Sequence, residues 1–338
     1  MLYMRCSVLI LLSLFCVFAT HAEMIAYRDR PVGSLSNDNP ASYYMNAAFD
    51  TVQNPDYFSQ KGIYKRHAVV WKRISKPHDN IKKGGGYDKL FLDEFIGPRA
   101  VPNYTLHLIG AGYDFRRMSE WYEAHEVNHP YFWGTVTILA AEGGNEALES
   151  SNERDISAHD HIADLYFFDT AAKVLFANDR VAKFMVDELQ LTVWNFRPMY
   201  FPKDRHIHNA GTNYICRPKS LSTEKTSPFI HMGMMPMVGV SRRLPEQFRL
   251  SIGMGPSYRN PLTSEGMLGG GFFVENHDDL MASIYFNGTE HYRMRVNLFP
   301  GIFGEYSKYT NLFIGLERNN AMAIGMDFNL PLGLMAKI

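Results

Sequence analysis

Cysteine is almost missing from this chain, and its placement excludes one way of holding a fold together. Of the three cysteines, Cys6 and Cys16 lie in an N-terminal stretch that reads as removable, which leaves Cys216 alone. An intramolecular disulfide is then excluded, and burial must hold the structure. Charge of one sign is also missing: 34 Lys and Arg face 35 Asp and Glu. That balance lacks the basic excess with which proteins neutralise phosphates, so no nucleic-acid partner is expected. Beyond residue 22 no run of about 18 apolar residues occurs, which excludes helical membrane spans. There is no Gly-x-Ser-x-Gly elbow and no phosphate-cradling Gly-rich loop, so no signature names a reaction.

What is present begins with an export signal over residues 1–22. Arg5 supplies the positive start, Val8 to Phe18 the uncharged apolar stretch, and Thr20 and Ala22 the small residues of a cleavage site. The apolar stretch is too short for a good membrane anchor. Bulky Phe15 ahead of Cys16 argues against lipoprotein processing. Cleavage before Glu23 removes 22 of 338 residues, Arg5 among them, and takes the net charge from −1 to −2. The mature protein is therefore expected in the outer membrane, with the periplasm as the alternative.

The chain then divides into three. Residues 23–102 are irregular and turn-rich, and 61–90 carry nine Lys or Arg beside Gly84-Gly85-Gly86. Such a window suits anionic head groups, but a solvated face is the expected reading. Residues 103–190 are helical. Ile162, Leu165, Phe168, Ala172 and Leu175 keep helical spacing, Asn178 offers an N-cap, and Tyr131 to Ala141 is apolar nearly all round. Tyr104, Leu106 and Leu108 leave a strand open as a local alternative.

From Leu191 the period switches to two. Phe248, Leu250, Ile252 and Met254 alternate with Arg249, Ser251, Gly253 and Gly255; the segments 292–298 and 322–328 behave likewise. Weaker runs cover 229–241, 267–276, 279–287 and 309–317. Asn287-Gly288 and Asn319-Asn320 suit tight hairpins. The expected fold is α+β: a short helical segment followed by an antiparallel β-barrel-like sheet over 191–338. The small residues on the second face favour a crowded lumen over a solvated surface, and hence a barrel in the outer membrane. Tyr258, Tyr292, Phe299, Tyr306 and Tyr309 are then expected in its aromatic girdles.

Two constellations could carry chemistry. His125-Glu126-Val127-Asn128-His129 has the spacing of a zinc peptidase helix, with Glu149 as a third ligand. Pro130 works against it, because the residue before a proline is pushed out of helical geometry. The second is spread over three segments: His107 and Arg117, Glu146 and Glu149, then Asp160, His161 and Asp164. Glu146 and Glu149 share a helical face, as do Asp160 and Asp164. Acidic pairs beside apolar runs need a cationic partner, so this is either an ion-pair network or an acid/base or metal site. His206 and His208 read as an alternating surface pair.

Residues 103 to about 217 resemble an uncharacterised family of bacterial envelope proteins with a domain of unknown function. The resembling pieces are His107 with Gly110 and Arg116, Asn145 to Glu149, Asp160 to Leu165, Lys173 to Phe176, and Asn209-Ala210-Gly211. The resemblance implies an outer-membrane or periplasmic setting and supplies no activity. The functional expectation is a barrel protein with a structural or binding role toward lipid or an envelope component. The rivals are a hydrolase acting through His107, Glu146, Glu149, Asp160 and Asp164, and a zinc peptidase using His125, His129 and Glu149. No cofactor is named, and membrane lipid is the expected partner.

Overall fold

The computed structural model describes residues 22–52, 62–150, 158–260, 265–288 and 291–338. The export signal lies outside the described residues, Ala22 excepted. Two compact units emerge, and the boundary differs from the expected one. Residues 28–52, expected to be part of an irregular N-terminal region, belong with 185–338, while 22–27 belong with 62–184.

The helical unit is α+π in character. It contains α2 (Ile63–Ile74), α3 (Pro77–Lys83), α4 (Tyr87–Phe91), α5 (Ala100–Pro102), α6 (Ala111–Ala124), α7 (Pro130–Glu149), α8 (Ala158–Ile162), α9 (Asp169–Phe176) and α10 (Asp179–Lys183). The stretch 62–102 is thus helical rather than irregular. The π-helical segment Asn103–Gly110 continues α5 into α6, and Ala163–Phe168 continues α8 into α9. Tyr104, Leu106 and Leu108 are therefore helical, which closes the strand alternative. Asn178 caps α10 as its sequence position predicts, its side chain accepting from the Arg180 N–H at 3.0 Å. The exposed rings of Phe132 and Trp133 show that α7 is not buried all round.

The second unit is one 13-stranded sheet. Its strands are β1 (Thr192–Asn195), β2 (Met199–Phe201), β3 (His206–His208), β4 (Thr212–Cys216), β5 (Thr226–Met232), β6 (Met237–Arg243), β7 (Phe248–Asn260), β8 (Glu265–Asn276), β9 (Asp279–Phe286), β10 (Tyr292–Leu298), β11 (Asn311–Glu317), β12 (Met322–Asp327) and β13 (Gly333–Lys337). Their order is β1-β4-β5-β6-β7-β8-β9-β10-β11-β12-β13-β2-β3, antiparallel throughout except β13 with β2. β1 and β2 are joined by Phe196, Arg197 and Pro198 alone, yet pair with strands at opposite ends of that order. Three residues span about 10 Å at most, so the sheet has to curl. The run 229–241, expected as one strand, is the β5–β6 hairpin, broken at Gly233 to Pro236.

Burial on this sheet is inverted relative to a water-soluble one. On β7, Arg249, Ser251, Gly253 and Ser257 are buried, whereas Ile252, Met254, Pro256 and Tyr258 are exposed. The same sense holds on neighbouring strands. Val238, Val240, Leu268, Phe272, Phe286, Met326 and Leu334 are exposed, and Ser241, Glu275, Ser283, Arg295, Asn297, Glu317 and Asp327 are buried. Aromatic bulk shares the buried face: Trp194, Phe196, Phe229, Phe273, Tyr285 and Phe299 form one cluster. Tyr292 and Phe299, expected in exposed girdles, are buried there; Tyr258, Tyr306 and Tyr309 are exposed as expected.

Residues 28–52 run against this buried face. The helix α1 (Pro40–Ala48) starts at Asn39, whose side chain accepts from the N–H groups of Ala41 and Ser42, both at 3.0 Å. Asn46 reaches Thr212 at 3.2 Å, and Asp50 accepts from the Thr212 N–H at 3.1 Å. Gly33, at φ +81°, lies where a Cβ would strike the Asp279 carboxylate, while Ser34 Oγ donates to that carboxylate at 2.9 Å.

Arg217 and Glu275 are the deepest charges of this unit, paired at 2.6 Å with neither side chain more than 1% exposed. Arg217 also donates to Ser241, which bonds Ser251. Removing one partner of such a pair strands the other. Arg217→Met is expected to cost about 3–5 kcal/mol in urea unfolding, and the double variant Arg217→Met/Glu275→Gln to recover most of it. A cost under about 1 kcal/mol for the single variant would show that the pair is not holding the sheet.

Candidate metal centre

Helix α7 presents Glu142, Glu146 and Glu149 on adjacent turns of one face. Against them stand His107 from the π-helical segment Asn103–Gly110, Asp160 from α8, Asp164 from Ala163–Phe168, and Asp169 and Lys173 from α9. The structure thus brings together His107, Glu146, Glu149, Asp160 and Asp164, the residues expected to act. It adds Glu142 and Asp169, which sequence spacing missed. Glu142 stands four residues before Glu146 on α7, an ordinary helical spacing; for Asp169 the missing signal lies in the π-helix, whose hydrogen bonds run from i to i+5. The Asp169 N–H bonds the Asp164 carbonyl, so carboxylates five apart become neighbours where α-helical spacing would separate them.

The cluster has two halves with different chemistry. In the first, the His107 ring lies 3.6 Å from Glu142, 3.7 Å from Asp169 and 3.7 Å from Asp164. These distances are ionic contacts, longer than hydrogen bonds. Asp169 is fully buried with neither oxygen hydrogen-bonded, and the Asp164 Oδ1 and Lys173 Nζ likewise have no hydrogen-bond partner. Lys173 stands 3.9 Å from Asp169. His107 and Glu142 are the more accessible members, with side chains 18% and 14% exposed. Ligand atoms of His107, Glu142 and Asp169 all lie within 4.8 Å of one another. Ligands held at 2.0–2.2 Å from one ion lie no more than about 4.4 Å apart, so a slight contraction completes the set.

The second half has arginines against it. Glu146, Glu149 and Asp160 also lie within ligand distance of one another. However, Arg99 bonds Asp160 at 2.6 Å and Glu94 at 3.0 Å. Arg73 donates to His161 Nε2 at 2.8 Å, which leaves the His161 Nδ1 proton to bond Glu146. His161 is held neutral in this relay, its pKa pushed down to about 4 by burial first and by Arg73.

Burial dominates the electrostatics of both halves. Burial pushes Glu142 up to about 8, with repulsion from Asp169 adding and His107 opposing. Burial also raises Asp164 and Glu146 well above the carboxylate range. Burial alone would lower His107, but Asp164, Asp169 and Glu142 outweigh it and raise it well above its ordinary value. Carboxylates outnumber Arg73, Arg99 and Lys173 here, so protons or a bound cation must make up the difference. A hard divalent cation fits oxygen-rich donors of this kind.

The remaining expectations separate. His125 caps the end of α6, with its ring stacked on Trp121, while Glu126 and His129 adopt left-handed φ of 57° and 61°. The two histidines therefore flank a turn instead of sharing a helical face, and Pro130 begins α7, as its chemistry requires. Glu149 lies at the far end of α7, about 28 Å along the axis from that turn. Arg117 pairs with Asp114 at 2.7 Å. His208 is buried and bonded to Tyr292 at 3.0 Å, so it is not a surface residue.

Cation binding at the first half has a definite sign with pH. Glu142 keeps its proton up to about pH 8, so affinity is expected to rise as pH increases through that value, with protons released on binding. Without a cation the raised Glu142 favours the fold below its unfolded pKa, and this contribution fades as pH climbs through about 8. Asp169→Asn should weaken Mn²⁺ or Zn²⁺ binding by calorimetry at least about tenfold, yet stabilise the cation-free protein. Lost stability without a change in cation affinity would mark Asp169 as structural. Compared with family models, curated proteins and solved structures, the chain matches none.

Proposed function

We propose that this chain is an exported outer-membrane protein in which 28–52 and 185–338 make a filled β-barrel with a binding or structural role. The observation that carries the reading is the inverted sheet, with Ile252, Met254, Val238, Leu268 and Leu334 turned outward and Arg249, Ser251, Glu275 and Arg217 turned inward. Water rewards the opposite arrangement, and hydrocarbon rewards this one. Strands β7 and β8, at 13 and 12 residues, reach the roughly 9–11 residues of a tilted membrane strand; β9 to β13 are shorter. The curl imposed by β1 and β2 suits a closed wall, and the aromatic cluster with α1 leaves a packed lumen rather than a channel. Lipid is then the partner of the outer face, and the resemblance to envelope proteins points the same way.

A second reading concerns the helical unit alone. The meeting of His107, Glu142 and Asp169 favours a cation-dependent hydrolase there, with Glu146, Glu149, Asp160 and Asp164 supporting the site. The zinc peptidase has no such support, since His125 and His129 flank a turn.

Membrane fractionation with gel mobility before and after boiling tests the barrel, and a charge scan sharpens it. Ile252→Arg is expected to cost about 2–4 kcal/mol in a bilayer, whereas a water-facing position would tolerate it within about 0.5 kcal/mol. Recovery as a soluble protein without a boiling shift would overturn the reading. Glu142→Gln separates the hydrolase, which would lose activity and bound cation with the fold intact.

A further inference from the structure

Among the buried arginines of the sheet unit, Arg295 is the exception. Arg217 pairs with Glu275, Arg249 with Asp278 at 2.9 Å, and Arg197 donates to the Ser36 carbonyl. Arg295 is 4% exposed and has no carboxylate in ion-pair range among the described residues. Its Nε makes one long contact of 3.4 Å to Asn297 Oδ1, and its Nη1 has no hydrogen-bond partner. The guanidinium lies over the Phe313 ring at 4.7 Å and the Tyr292 ring at 6.0 Å. Ring faces attract a cation but leave its N–H groups unsatisfied.

A pocket opens beside this group. Arg295, Asn213, Tyr285, Tyr292, Met235 and Ala210 line it beneath Gly288, and its volume is about 20 Å³. Met235 belongs to the β5–β6 connection and Gly288 to the β9–β10 connection, so the mouth lies at the strand ends where those turns gather. The hydroxyls of Tyr285 and Tyr292 are held by His231 at 3.1 Å and His208 at 3.0 Å. Both Asn213 amide hydrogens are committed, to the carbonyls of Ala210 and Gly211. The open donor is therefore the guanidinium, surrounded by methionine, alanine and ring surface.

We infer that this pocket binds a small carboxylate, its charged head on Arg295 and a short apolar tail against Met235 and Ala210. One cation without a second matches a monoanion better than a phosphate dianion. Guanidinium and carboxylate are complementary in shape as well as charge. The volume lies far below that of ordinary ligand pockets, which restricts the ligand to the smallest carboxylates. The inference does not depend on a membrane around the sheet or on a cation in the helical unit.

The test uses the full-length purified protein, titrated by calorimetry with sodium acetate, butyrate and hexanoate against sodium chloride and phosphate at matched ionic strength. Saturable carboxylate binding is expected, weakened at least tenfold in Arg295→Gln. Ala210→Val, which narrows the pocket and leaves the guanidinium in place, should weaken butyrate more than acetate; it decides the matter if Arg295→Gln does not fold. No saturable binding, or equal binding by the Arg295→Gln protein, would overturn the inference. Chloride binding as tightly as any carboxylate would also overturn it and leave a simple halide site.

Discussion

An ionised side chain buried in protein must have opposite charge or hydrogen bonds against it, or it changes protonation state. Both units of this molecule are organised around that constraint. In the sheet unit the answer is largely direct pairing: Arg217 with Glu275, supported by Ser241 and Ser251, and Arg249 with Asp278. In the helical unit it is incomplete. Arg73 and Arg99 satisfy the half of the cluster around Glu146 and Asp160, while Asp169 has both oxygens without hydrogen bonds. The asymmetry distinguishes a network built for stability from a group of donors arranged for a ligand. An ion-pair network has no reason to leave its most buried carboxylate unbonded.

The inverted sheet follows from the same constraint applied to a curled wall. Inward positions have to accommodate α1, the aromatic cluster and the opposite strands, so they alternate between glycine or serine and a few long charged side chains. Outward positions are left to Ile, Val, Leu, Met and Phe. A sheet of this composition has its usual apolar side exposed and its core built from mixed material. Residues 28–52 complete that core, with Asn46 and Asp50 supplying hydrogen bonds to the side chain and backbone of Thr212 on β4.

Much of this was legible in the sequence, and the failures have physical causes. Alternation located β7, β8, β9, β10, β11 and β12 because each strand keeps one face apolar over six or more residues. β1 to β4 were not resolved one by one, since they are three to five residues long and β4 is buried at every position, which erases the alternation. The hairpin inside 229–241 was hidden because Met234, Met235 and Met237 continue an apolar run across the turn. Residues 62–102 read as irregular because their helices are short and rich in lysine and arginine. His107, Glu146, Glu149, Asp160 and Asp164 were identified as one cluster from polar residues set among apolar ones. Asp169 was not, for the π-helical reason already given; Glu142, four residues before Glu146 on α7, was within reach of ordinary helical spacing. His125 and His129 matched a spacing without the helix that gives the spacing meaning.

Tyr292 shows how much one residue of register can decide. Strict alternation on β10 puts Tyr292 on the face of Met294, Val296 and Leu298, opposite Arg295 and Asn297. The pairing with β11 instead slips between Tyr292 and Met294, and such a bulge turns every side chain beyond it to the other face. Tyr292 therefore points inward, where its hydroxyl meets His208 and its ring lies near Arg295. Without the slip, a bulky phenol would stand among the outward apolar residues, and the Arg295 pocket would lose one wall. The bulge thus places an aromatic surface beside a guanidinium that no carboxylate among the described residues neutralises, which confines the charge without satisfying it. A wall that only needed filling could have used leucine in register. The combination of slipped register, ring and an arginine without a carboxylate among the described residues is the arrangement of a binding surface.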